Sequence, residues 1–209
     1  MLCSPGLKQV TAMKPRIGLF FGSFNPIHRS HVTVAMALQQ WAQLDHVRLV
    51  LTPHSPNKSK DDLLEDQERL TMVEAALAGM DNLKVERIEL TLPQPNYTID
   101  TVRALMDREP DCDFVLLMGA DNLVGFAQWK QSEDILKCLP LLVYPRPHYP
   151  LPDDSPWHNH PRVTLVPGKA MERSSSNIRE ALKSGASIQG EVHDTVADML
   201  HNKGHYTQE

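Results

Sequence analysis

Apolar residues along this chain are arranged in two alternating ways. Near-continuous runs occur at residues 17–21, 47–51, 83–90, 114–118, 141–144 and 163–166. Runs of that length without polar alternation predict strands covered on both faces. Between them apolar positions recur every three or four residues. In 30–44, Val34, Leu38 and Trp41 form one stripe with Ala35 and Ala42 beside it. In 65–78 the stripe is Leu70, Val73, Ala76 and Leu77, and in 98–108 it is Ile99, Val102, Leu105 and Met106. These stretches predict helices, and Asp100 sits early in the third, where the helix dipole favours an acid. Strands alternating with helices predict an α/β fold: a Rossmann-like, doubly wound, mostly parallel sheet with helices on both faces.

Open sheets of this kind collect ligands beyond the carboxyl ends of their strands. The segments that follow the strand patterns, 22–31, 52–60, 119–121 and 168–179, are rich in glycine and polar residues and should converge in space. The first is the most informative. In Gly22-Ser23-Phe24-Asn25-Pro26-Ile27-His28-Arg29-Ser30-His31 a glycine turn leads from a strand into a helix that opens with two histidines three residues apart. A helix N-terminus carries free N–H groups and partial positive charge, and imidazoles there can donate to phosphate oxygens. A second cluster, Ser174-Ser175-Ser176-Asn177-Ile178-Arg179, starts another helix with hydroxyls and a planar cation one turn in.

Composition narrows the reading. The chain has 209 residues, which predicts a single domain with a substantial core: a leader over 1–13, disordered and without function, then the domain over 14–209. A net charge of −5 argues against sequence-independent nucleic-acid binding, which needs a basic footprint. No apolar run approaches the ~18 residues of a membrane span. Cys3, Cys112 and Cys138 form neither a CxxC pair nor a zinc pattern, so reduced thiols in a cytoplasmic protein are expected. Residues 145–161 are dense in proline and histidine and predict an exposed loop, with its His148, His158 and His160 solvated rather than gathered on a metal. Trp41 and Trp157 read as structural or exposed.

The motif at 22–31 resembles the HxGH signature of a nucleotidyltransferase superfamily, G-[GST]-F-[DN]-P-x-H-x-G-H, with Ser30 where the pattern has its last glycine. Residues 174–179 resemble that superfamily's ISSTxIR motif, with Arg173 in place of the isoleucine. Further segments are similar to those of nicotinate mononucleotide adenylyltransferases. Thr52-Pro53-His54-Ser55-Pro56-Asn57-Lys58 looks like the loop after their second strand, with His54 or Lys58 as the phosphate contact. Asn96-Tyr97-Thr98-Ile99-Asp100-Thr101 resembles their SYT segment. Gly119-Ala120-Asp121-Asn122-Leu123 with Phe126 and Trp129 resembles their GxD…W segment. Val196, Leu200 and Gly204-His205-Tyr206 resemble their closing helix.

The resemblance implies transfer of AMP from ATP to nicotinate mononucleotide, giving nicotinate adenine dinucleotide and pyrophosphate. It implies His28, His31 and Arg179 as catalytic residues, with His31 at the α-phosphate and Ser176 and Arg179 on the β- and γ-phosphates. ATP would also meet Gly22, Ser23, Phe24, Gly119, Asp121 and Ser175. The mononucleotide would meet Asn25, Lys58, Tyr97, Thr98 and Trp129, whose indole can stack on a pyridine ring. Mg²⁺ would enter with ATP, held mainly by phosphate oxygens and water rather than by protein ligands. Nicotinamide mononucleotide or phosphopantetheine as acceptor, and a non-catalytic nucleotide-binding protein, are the competing readings. Self-association into a homo-oligomer is left open.

Overall fold

A computed structural model describes residues 13–56, 62–147, 149–168 and 174–206. The expectations for the leader up to residue 12, for Lys58 and for His148 lie outside the described residues. Six strands, β1 (Arg16–Gly22), β2 (His46–Leu51), β3 (Leu83–Glu86), β4 (Asp113–Gly119), β5 (Leu141–Tyr144) and β6 (Val163–Leu165), form one sheet in the order β3-β2-β1-β4-β5-β6. Every pairing is parallel. The order reverses between β1 and β4, so the crevice at their carboxyl ends is the switch point where a ligand is expected.

The two faces of the sheet bury separate cores. On one, Phe20, Val47, Leu49, Leu51, Val115 and Leu117 pack against α1 (Arg29–Trp41), α2 (Asp66–Leu77), α6 (Ser175–Lys183) and α7 (Asp194–Asn202). On the other, Ile17, Leu19, Val50, Leu116 and Met118 pack against α3 (Thr98–Arg108), α4 (Ala120–Val124) and α5 (Ser132–Cys138). Alternate residues of one strand thus enter opposite layers, as the pleat requires. Gly18 is confined: a Cβ there would stand 2.8 Å from Leu117 and 2.9 Å from Leu44.

Two expectations need correction. The apolar run at 83–90 is a strand only as far as Glu86. There the Glu86 carboxylate accepts the N–H groups of Arg87 and Ile88, both at 3.0 Å, and the chain leaves the sheet as a 3₁₀ turn over Ile88–Leu90. The proline-rich stretch 145–161 is largely exposed but not wholly so. A 3₁₀ turn at Pro156–Asn159, begun by Ser155, directs Trp157 into the second core, where its ring centroid lies 5.5 Å from that of Phe126. Trp41 is the exposed tryptophan, at 47%.

Candidate active site

The turn after β1 is fixed from several directions. Phe24 takes a left-handed backbone (φ 44°) that turns its ring under the strand end, 5.1 Å from the His31 ring and edge-on to it. A side chain at Gly22 would collide with that ring, its Cβ 2.8 Å away. Asn25 is 5% exposed and acts as a bracket: its amide donates to Asp62 O (2.7 Å), and its Oδ1 accepts from Leu64 N (3.1 Å) and Tyr206 Oη (2.6 Å). Arg69, fully buried on α2, donates to the carbonyls of Ser23 (2.5 Å), Thr52 (2.9 Å) and Pro53 (3.3 Å). One guanidinium thereby joins the ends of β1 and β2, with Asp66 as its counter-ion at 2.5 Å.

The two histidines stand at the start of α1 with rings stacked, centroids 3.6 Å apart. His28 N–H donates to His31 Nδ1 at 3.3 Å. With Nδ1 accepting, the neutral His31 ring carries its proton on Nε2. His28 is 2% exposed, and neither of its ring nitrogens has a hydrogen-bond partner among the described residues. Burial, aided by the charge of Arg146, lowers its pKa to about 4. At neutral pH His28 is therefore an uncharged donor and acceptor, not a cation.

The serine–arginine cluster at the far end of the sequence docks onto this turn. Arg179 Nη1 donates to Asn25 O at 2.9 Å, and Ser175 Oγ donates to Pro26 O at 2.9 Å. Ser174 caps α6 by accepting from Asn177 N. Ser176 is exposed, with Arg179 Nη2 3.3 Å from its hydroxyl. At the end of β4, Gly119 leaves no room for a Cβ against Asp121 and the Tyr144 ring. Asp121 lies 3.5 Å from Arg146 Nε, and that guanidinium sits 5.7 Å from the centre of the Tyr144 ring. Histidines, Arg179, Arg146 and Asp121 thus share one end of the sheet.

Beside them is a cavity of about 280 Å³ lined by Gly22, Ser23, Thr52, Tyr97, Thr98 and Trp129 among others. Trp129 is half-buried and rests on Phe126, centroids 5.5 Å apart. Asn96 ties the cavity's loops together: its backbone N–H donates to His54 O (2.9 Å), and its side chain accepts from His54 N (3.2 Å) and donates to Glu89 O (3.1 Å). The structure brings Gly22, Ser23, Tyr97, Thr98 and Trp129 to one cavity, and His28, His31, Ser175 and Arg179 to the adjoining turn.

The sequence reading missed Arg69, Glu89 and Arg146. Arg146 stands two residues beyond β5, a carboxyl-end position, but within a proline-rich stretch. Glu89 lies inside what reads as a strand. Arg69 occupies an apolar helix face and gives no sequence signal beyond its neighbours.

Three comparisons bear on the family. A family model described as cytidylyltransferase-like matches residues 19–181. A protein of Christiangramia forsetii named "Probable nicotinate-nucleotide adenylyltransferase" is 41% identical over 176 residues, 84% of this chain and 90% of that protein. One of the same name from Flavobacterium psychrophilum is 42% identical over 174 residues, 83% of this chain and 90% of that protein. The chain belongs to the nicotinate-nucleotide adenylyltransferase family. A nicotinate-nucleotide adenylyltransferase is a nucleotidyltransferase. The fold agrees. The nicotinic acid mononucleotide adenylyltransferase of Plasmodium falciparum, solved in complex with NaAD, matches with a TM-score of 0.78 at 18% identity, covering 92% of this chain and 97% of that one.

Proposed function

We propose that this protein transfers the adenylyl group of ATP to the 5′-phosphate of nicotinate mononucleotide, releasing pyrophosphate and forming nicotinate adenine dinucleotide. The observation that carries the reading is the adjacency of two unlike compartments at one sheet end. A ring-sized cavity with an indole wall shares Gly22 and Ser23 with a turn that holds two imidazoles and, through Asn25, an arginine. Family membership supports the same reaction.

The attacking phosphate is already ionised, so no general base and no covalent nucleophile are needed. The protein's work is positioning and charge stabilisation. His31, which carries its proton on Nε2 when neutral, steadies the α-phosphate as charge builds. Neutral His28 contacts the adjoining phosphate without adding charge. Ser176 and Arg179 hold the β- and γ-phosphates and the departing pyrophosphate. Tyr97, Thr98 and Trp129 hold the pyridine, and His54 or Lys58 meets the mononucleotide phosphate. Asp121 faces the nucleotide side. Asn25 serves the mononucleotide indirectly, by holding the turn that shapes the cavity mouth.

Mg²⁺ enters as part of the ATP substrate. Among the described residues no group of three or more His, Cys, Asp or Glu is placed to hold a metal. Imidazoles, hydroxyls and a guanidinium suit a triphosphate that brings its own cation. Free Cys112 and Cys138 support the cytoplasmic setting. No described helix is long and apolar enough to cross a membrane.

Purified protein given Mg²⁺–ATP and each mononucleotide in turn should release pyrophosphate fastest with nicotinate mononucleotide. Faster release with nicotinamide mononucleotide or phosphopantetheine would replace the acceptor. No release with any would leave a nucleotide-binding protein.

A further inference from the structure

The 3₁₀ turn that ends the third apolar run carries Glu89 to the cavity. Its side chain is 1% exposed, a costly place for a carboxylate unless something compensates it. Thr101 Oγ1 donates to Glu89 Oε1 at 2.6 Å. Oε2 has no hydrogen-bond partner among the described residues. Burial pushes the carboxyl's pKa up, the hydroxyls of Thr101 and Thr52 pull it back, and no cation among the described residues contributes. Lys130, the other charged residue lining the cavity, is committed elsewhere: its ammonium lies 2.8 Å from Asp100 and 4.3 Å from the centre of the Tyr97 ring.

A buried carboxyl with one oxygen spare, two hydroxyl neighbours and no counter-ion among the described residues is half of an ion pair, which burial holds toward its neutral form until a cation arrives. Its missing half is a cation delivered by the ligand. The mononucleotide of the proposed reaction brings one, because its pyridine nitrogen is quaternised by the ribose. Purine and pyrimidine mononucleotides carry neutral bases. We propose that Glu89 is a specificity-determining residue that selects the positively charged ring of a pyridinium mononucleotide against neutral-ring mononucleotides. Stacking on Trp129 already favours a cationic ring through cation–π attraction, and the carboxylate adds a second, separable charge requirement.

The inference rests on the proposed function, and the two are tested apart. Pyrophosphate release by the unaltered protein tests the reaction. The inference is tested by comparing two ligands as inhibitors or substrates: nicotinate mononucleotide and its C-nucleotide isostere, in which carbon replaces the ring nitrogen and the ring is flat but uncharged. The unaltered protein should bind the charged ring at least ~10-fold more tightly than the neutral one, the scale of a desolvated charge contact. Glu89→Gln keeps the shape and a hydrogen-bond partner for Thr101. It should weaken the charged ligand by ~10-fold or more, leave the neutral one within ~3-fold, and leave the KM for ATP unchanged. A purely structural role would weaken both ligands together, and that result overturns the proposal. Should that variant fail to fold, Trp129→Leu decides: with the indole's cation–π pull removed, a remaining preference of ~10-fold for the charged ring upholds the inference, and equal affinity for the two rings overturns it.

Discussion

The two compartments of the site are built by different means. The turn at 22–31 is assembled from segments far apart in sequence. Arg179 reaches Asn25 across 154 residues, and Tyr206 reaches the same residue across 181. Many of its polar groups are held by one another or by backbone carbonyls, the two ring nitrogens of His28 excepted. The cavity is walled mainly by strand ends, the Ile88–Leu90 turn, α3 and the segment around Trp129, and its one buried charge is left open. The first compartment is preorganised to hold charge in a fixed array. The second offers shape and an unfinished contact. Substitutions should therefore separate: turnover should suffer on the histidine side, and affinity for the mononucleotide on the cavity side.

The sharpest test of that division is His31→Ala. Loss of one preorganised donor should lower kcat by at least ~10²-fold while the KM for nicotinate mononucleotide changes little. Pyrophosphate release at saturation measures it, and near-normal turnover would remove His31 from the chemistry.

The next test uses acid. The folded state holds His28 near pKa 4, while the unfolded chain titrates it near the ordinary imidazole value of 6.5. Between those values the unfolded chain binds a proton that the folded chain refuses. Stability from this residue is full above pH 6.5, declines on acidification and levels off below about pH 4. The loss should reach about 3 kcal/mol. Urea midpoints at about pH 7 and about pH 4.5 should differ less for His28→Asn than for the unaltered protein. Equal acid loss in both would show that burial of this imidazole costs nothing.

On the cavity side, Trp129→Ala should raise the KM for nicotinate mononucleotide ~10-fold, with kcat and the KM for ATP little changed, as expected for one lost stacking partner. A fall in kcat at unchanged KM would assign the indole to the wrong compartment. The smallest effect belongs to the bracket. Tyr206→Phe removes one hydroxyl from Asn25 and should cost about 1 kcal/mol in a denaturation experiment. Its trace in catalysis should appear as a modest fall in kcat, since the bracket serves the histidine turn.

Much of this architecture is legible in the sequence, for physical reasons that also explain the gaps. Near-continuous apolar runs announce doubly covered strands, and all six are present. α4 and α5, with 5 and 7 residues, are too short to show a helical stripe. The early end of β3 depends on the Glu86 carboxylate capturing two backbone amides, a side-chain event that apolarity does not encode. Glu89 is hidden by the same event. Convergence of 22–31, 119–121 and 174–179 follows from the rule for strand ends. That Asn25 spends its side chain inside the protein, on Asp62, Leu64 and Tyr206, does not follow from its place in a motif.

Asn25 joins the opening strand to the closing helix, and this sets an order in time. During synthesis the ribosome releases residues 22–31 early, and β1, β2 and α1 can pair while the rest is still being made. Arg179 and Tyr206 emerge much later. A nascent chain can therefore hold both histidines and most of its sheet with the phosphate cradle still unlatched. Competence arrives late, when the last helix docks, so a chain stopped before Ser174 would be catalytically silent and would also lack the α6 and α7 cover of one sheet face, with Ile178, Leu182, Val196 and Leu200 among its buried residues.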